Sequence, residues 1–210
     1  MNHKGIKIVR ENGCFFTIGL NNYIQKELKI LIQQRSDEEY IKLVCYLIDY
    51  VCGPNLVIKP GETIAYYSWV LQFVIRDGMF YEIWEAEQSG NGFLSGVDYA
   101  TYVVRIQEDE CSKHKTTPIF PTFSQNIVIS KGVYEGLSIE GIRYPSPKHM
   151  TGWWLITDEY DDNLNSLQNV HYYHVAFKRP DILKYLALPF GYRFFADGHT
   201  SEVRYDDKIK

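Results

Sequence analysis

Basic residues are in short supply in this chain: 22 lysines and arginines face 26 aspartates and glutamates, for a formal net charge of -4. With no basic excess there is no cationic stripe to neutralise a phosphate backbone, so nucleic-acid binding is not expected. Long apolar runs are missing as well. Nothing approaches the ~20 apolar residues that cross a bilayer, and the opening thirteen residues, ending in Glu11-Asn12-Gly13, hold no signal-like apolar stretch. Membrane insertion and export are therefore not expected, and a cytoplasmic location is. Cys14, Cys45, Cys52 and Cys111 are too few for the disulfide ladder of a small secreted scaffold and read as reduced thiols. Glycine-rich nucleotide loops, a G-x-S-x-G elbow, internal repeats and low-complexity tracts are all absent.

What is present is an ordinary folded composition with extra aromatics. A hydrophobic share of 45% supports a real core, while 17 tyrosines and 4 tryptophans supply either core or rigid contact surface. A length of 210 residues suits one large domain or two small ones.

The N-terminal pattern begins with two short strands, residues 6–9 and 14–20, around the Asn12-Gly13 turn. A helix is expected from Asn21 or Asn22 through Ile32. A second starts at the Ser36/Glu39 capping box, with an apolar face of Ile41, Val44, Cys45, Ile48, Val51 and Cys52, and stops at Gly53-Pro54. Residues 56–59, 63–75 and 79–84 read as strands, the last two joined at Arg76-Asp77-Gly78. Ser95 and Asp98 offer caps for a helix to about Cys111; residues 99–106 are also rich in strand formers, and helix is preferred. Residues 108–117, with Pro118 and Pro121, read as a linker, which divides the chain into an N-terminal region 1–123 and a C-terminal domain 124–210. Beyond it, 126–130, 137–143, 152–157 and 192–196 read as strands. Pro180 opens a short helix through Leu186, and Asp197-Gly198 turns into a last strand at 203–205. The expected fold is α+β, with mostly antiparallel sheets and flanking helices in two halves.

The C-terminal residues carry a resemblance. In order come Ile129-Ser130-Lys131, Ile142-Arg143 with Pro145 nearby, Gly152-Trp153 before an acidic cluster, Pro180 with Leu186, and Leu188-Pro189-Phe190-Gly191 with Phe194. Over about residues 125–205 this order and spacing resembles the bacterial immunity-protein family numbered thirty-three, although here Tyr160 interrupts the acidic run. The resemblance implies a domain that neutralises a toxin exchanged between competing bacteria by binding it, and brings no established catalytic residues with it. The N-terminal half carries no recognised motif.

Asp158, Glu159, Asp161 and Asp162 put four carboxylates within five residues just after Trp153-Trp154. That is a local negative field beside aromatic anchors, suited to steering and holding a basic protein surface. The bland alternative is a solvated loop that only keeps the surface soluble. In a regular strand Trp153 and Trp154 face opposite sides, so one is core and the other available, with the choice open. Arg143 is expected to order the loop through a bidentate pair to Asp158 or Glu159. His171 and His174, or Cys111 with His114, draw a zinc site only on paper, because the pairs lie far apart and lack knuckle turns, so no metal or cofactor is expected. Glu82 and Glu85 are the candidate catalytic carboxylates, but strand alternation points them apart. The reading is a non-catalytic binding protein whose partner is a cognate toxin, with Trp153, Trp154 and the four acids as the contact. The alternative is an enzyme or small-ligand binder with a site between the halves.

Overall fold

The computed structural model describes residues 1–54 and 56–209. It divides into two compact units, Met1–Tyr102 and Val103–Lys210, each an α+β body around its own sheet. In the first unit β1 (Asn2–His3), β2 (Ile6–Glu11) and β3 (Cys14–Ile18) form a meander, followed by the single-turn α1 (Asn21–Ile24) and by β4 (Glu27–Leu31). The long α2 (Asp37–Val51) leads to β5 (Thr63–Tyr66), β6 (Trp69–Val74), β7 (Phe80–Ala86) and the short β8 (Phe93–Ser95). The strand order is β1-β2-β3-β4-β7-β6-β5, with β8 on β7, and the β4–β7 pair is parallel. The expected turn at Asp77-Gly78 joins β6 to β7 in an antiparallel pair.

The capping box at the start of α2 forms as expected. Glu39 N donates to Ser36 Oγ at 3.4 Å and Ser36 N donates to the Glu39 carboxylate at 3.0 Å. Each such cap stabilises a helix by about 1 kcal/mol. Tyr40, Leu43, Val44, Leu47, Ile48 and Val51 make the buried face of the helix. Cys45 and Cys52, expected within that stripe, are only half-buried on its flank.

The expected helix from Asn21 to Ile32 is corrected. It stops after one turn because Gln25 turns left-handed at φ 61°, and because the Glu27 carboxylate gathers nearby donors: Thr17 Oγ1 at 2.7 Å and the amides of Gly19, Leu20 and Asn21 at 2.7–3.3 Å. Leu28 and Ile30, both fully buried, then alternate as strand residues between β3 and β7. Residues 56–59 are not a strand, and the expected 63–75 strand is a hairpin that turns at Tyr67, φ 52°.

Helix α3 (Asp98–Lys113) runs through the point where the units divide, so residues 108–113 of the expected linker are helical. The rest is bonded into the second unit: Ile119 N donates to Ala187 O at 2.8 Å. That unit contains β9 (Asn126–Ile129), β10 (Ile139–Arg143), β11 (Met150–Ile156), β12 (Gln168–His171), α4 (Tyr172–Lys178), a 3-10 helix at Pro180–Tyr185, β13 (Tyr192–Ala196) and β14 (Ser201–Tyr205). Its strand order is β12-β9-β11-β10-β13-β14, with β9 and β11 parallel and every other pair antiparallel. The Pro180–Tyr185 helix and the turn after it cover one sheet face. Tyr185 stacks on Phe194 at 4.6 Å, and Trp153 Nε1 donates to Leu186 O at 2.8 Å. No helix among the described residues is long and apolar enough to cross a membrane.

Candidate functional site

The second unit's sheet is two-sided in chemistry, and strand registers fix which residue faces which way. Ile139, Gly141 and Arg143 of β10, Trp153 and Leu155 of β11, and Phe194 and Ala196 of β13 lie side by side across the strands and are all buried. The intervening residues form the opposite face. Trp154, Ile142, Arg193 and Arg204 make one cross-strand row, and Ile156, Glu140, Phe195 and Glu202 the next. None of this second set is buried, and Phe195 is 42% exposed.

The choice between the tryptophans is thereby decided. Trp153 is fully buried, with its ring edge-on to Phe194 at 5.2 Å, so it holds the core and cannot meet a partner directly. Trp154 is half-buried on the open face, edge-on to Tyr144 at 5.9 Å. The offset between neighbours comes from the strand alternation. A bulge just before it sets the register, where Gly152 stands at φ 83° against Tyr144 O.

Asp158, Glu159, Asp161 and Asp162 are all exposed in the loop that leaves β11. The loop is ordered locally. Thr157 Oγ1 donates to Lys131 O at 2.5 Å, and Asp161 Oδ1 accepts from Ser166 Oγ at 2.7 Å and from Asn163 N at 3.1 Å. These bonds hold the Asp161 carboxyl below the ordinary carboxylate range, the serine contributing most. Glu159 pairs with Lys131 at 3.0 Å, and since both are exposed the pair is worth little.

Arg143 does not order this loop, and the expected pair to Asp158 or Glu159 is corrected. It is 1% exposed, and its guanidinium donates to four backbone carbonyls: Thr151, Ile119, Leu186 and Leu188, at 2.9, 2.8, 3.2 and 2.5 Å. It also lies over the rings of Trp153 and Phe190 at 5.6 and 5.0 Å. Strand alternation puts it on the helix-covered face beside Trp153, away from the open face. Burial pushes it down to about 9, so it remains a cation at neutral pH.

A cleft of about 330 Å³ opens on the uncovered face, lined by Glu140, Ile156, Asp158, Arg193, Phe195, Glu202 and Arg204 among others. It joins the acidic run to the open face through Asp158. Asp158 and Trp154 are legible in the sequence as site candidates, whereas Arg193, Phe195, Glu202 and Arg204 are not. Their signal was the alternation along the last hairpin, which puts them on one face once that hairpin is accepted.

Groups considered for chemistry have other duties. Glu82 pairs with Lys29 at 2.8 Å and accepts from Trp84 Nε1 at 3.3 Å. Glu85 accepts the Tyr99 and Ala100 amides at 3.1 and 2.6 Å, capping the start of α3. Burial lifts the Glu85 carboxyl to about 7. Cys111 is buried in contact with Ala187 O, its thiol pushed up to about 11 by burial, while His114 contacts Glu110 at 3.3 Å. His171 stacks on Tyr173, and His174 touches the same ring. Among the described residues no three histidine, cysteine or carboxylate side chains group closely enough to hold a metal.

The fold of the second unit is an α+β domain with helices on one face of a mixed sheet and a charged, aromatic second face. Residues 106–207 match the family model of the Imm33-like domain, over the same stretch whose motifs carry the resemblance. No curated protein and no solved structure gives a significant match to the chain.

Proposed function

We propose that this protein is a non-catalytic immunity protein that neutralises a bacterial toxin by binding it in a one-to-one complex in the cytoplasm. The observation that carries the reading is the Imm33-like match over the same residues that hold the exposed acidic run. Asp158, Glu159, Asp161 and Asp162 steer and hold a basic surface of the toxin, with Trp154 as the aromatic anchor beside them. Trp153 contributes from the core by fixing the strand that presents both. The test is to co-express the product of the adjacent gene with this protein, score growth, and titrate the purified pair by calorimetry. Growth protection with a stoichiometry near one supports the reading. Asp-to-Asn and Glu-to-Gln changes at the four acids then weaken the complex at least about a hundredfold. No complex with the neighbouring product, or protection that survives the four changes, removes respectively the immunity reading or the role of the run.

A further inference from the structure

The cleft beside the acidic run has a charge pattern of its own. Its apolar surfaces are Ile156 from β11 and Phe195 from β13, a residue 42% exposed, on either side of Glu140 in the same cross-strand row. The charged groups around them are unequal. Arg193 is claimed through its two terminal nitrogens by Glu140 and, at 3.1 Å, by Asp206, while its buried Nε has no hydrogen-bond partner among the described residues. Asp158 and Glu202 stand at the cleft with carboxylates that take part in no hydrogen bond or ion pair among the described residues. Arg204, paired across the strands with Arg193, is likewise uncommitted and exposed.

We propose that this cleft receives an arginine side chain from the protein partner. A guanidinium presents a flat, weakly hydrated face to an aromatic ring and a fork of donors to carboxylates. Phe195 offers the ring, Ile156 the contact for the aliphatic stem, and Asp158 with Glu202 the acceptors. A lysine makes poorer use of the same walls, because its ammonium is a compact, strongly hydrated point charge. Arg204 lines the same cleft and its charge opposes any incoming cation, so Asp158 and Glu202 must outweigh it and a polybasic stretch is disfavoured. The identity of the partner as a toxin rests on the binding reading above; the chemistry of the cleft does not.

The experiment is an amide NMR titration of the full chain with a short neutral peptide carrying one arginine. Lysine and norleucine versions, free arginine and a thymidine oligonucleotide serve as comparisons. Saturable shifts centred on residues 156, 158, 195 and 202, strongest for the arginine peptide, support the cleft. Binding then weakens at least tenfold in the Asp158→Asn/Glu202→Gln variant, with the remaining spectrum unchanged. The proposal is overturned by the absence of saturable shifts, by equal binding to that variant, by tighter binding of free arginine, or by the oligonucleotide occupying the cleft. Growth protection is scored separately on the same variant. If arginine binding is lost while protection persists, the cleft is not the contact and immunity stands. If arginine binds in a chain that protects no cell, the cleft stands and immunity falls.

Discussion

At the scale of single residues, the second unit depends on a buried cation with no carboxylate partner among the described residues. Arg143 satisfies itself on four carbonyls, those of Thr151, Ile119, Leu186 and Leu188, so it ties β10 to β11, to the segment before β9 and to the turn after Tyr185. Removing it strands those acceptors and opens space between Trp153 and Phe190. Arg143→Ala is expected to cost about 3–5 kcal/mol of stability in urea unfolding. Amide exchange in residues 158–163 should stay as it was under native conditions, because that loop is bonded to Thr157, Asp161 and Ser166. A loss under about 1 kcal/mol would mean the carbonyls find other donors. Glu85 gives a second prediction. Its folded pKa of about 7 lies above the unfolded value, so its contribution to stability is full below about pH 4.5 and is lost as pH rises through about 7. Glu85→Gln carries no such titration. Relative to the parent, the variant should therefore gain stability on the order of 3 kcal/mol between pH 4.5 and pH 8.5. Thermal melts of both proteins across that range check it, and parallel curves would contradict the assignment.

Among the secondary-structure elements, β11 matters most to the candidate site. Gly152 takes φ 83°, and a Cβ there would sit 2.2 Å from Tyr144 O. Gly152→Ala therefore meets both backbone strain and a carbonyl that cannot move aside, a cost of at least about 2 kcal/mol. Because the bulge sets which tryptophan faces inward, the same change should red-shift tryptophan emission as the buried Trp153 indole meets water. Where local chemistry decided an element, the sequence could be read. The Ser36/Glu39 box announced α2, Asp77-Gly78 and Asp197-Gly198 announced their hairpins, and β13 was found at its full extent. Elements decided by distant partners were hidden. β4 looks helical until Glu27 is seen to gather donors from the preceding turn and Leu28 to pair with Tyr81, far along the chain. The same limit applied at the site. The acidic run is visible as composition, but the burial of Trp153 and Arg143 follows from which sheet face the helices cover, and that is tertiary information.

For the whole molecule, the net charge of -4 is modest, and what matters is its distribution. The acidic run follows β11 directly, and Asp158 shares its cleft with the uncommitted Glu202, so negative charge collects beside an open aromatic face. Charge placed this way acts over distance on an approaching basic surface before any contact forms, and dissolved salt screens it beyond ~10 Å at 0.1 M. The on-rate for the protein partner proposed above should therefore fall about tenfold between low and physiological salt while the off-rate changes little. Stopped-flow mixing at several ionic strengths measures both. Neutralising Asp158, Glu159, Asp161 and Asp162 together should flatten the salt dependence of association. A salt-independent on-rate in the parent protein would instead assign recognition to Trp154, Ile156 and Phe195, with the acids left as solvated surface.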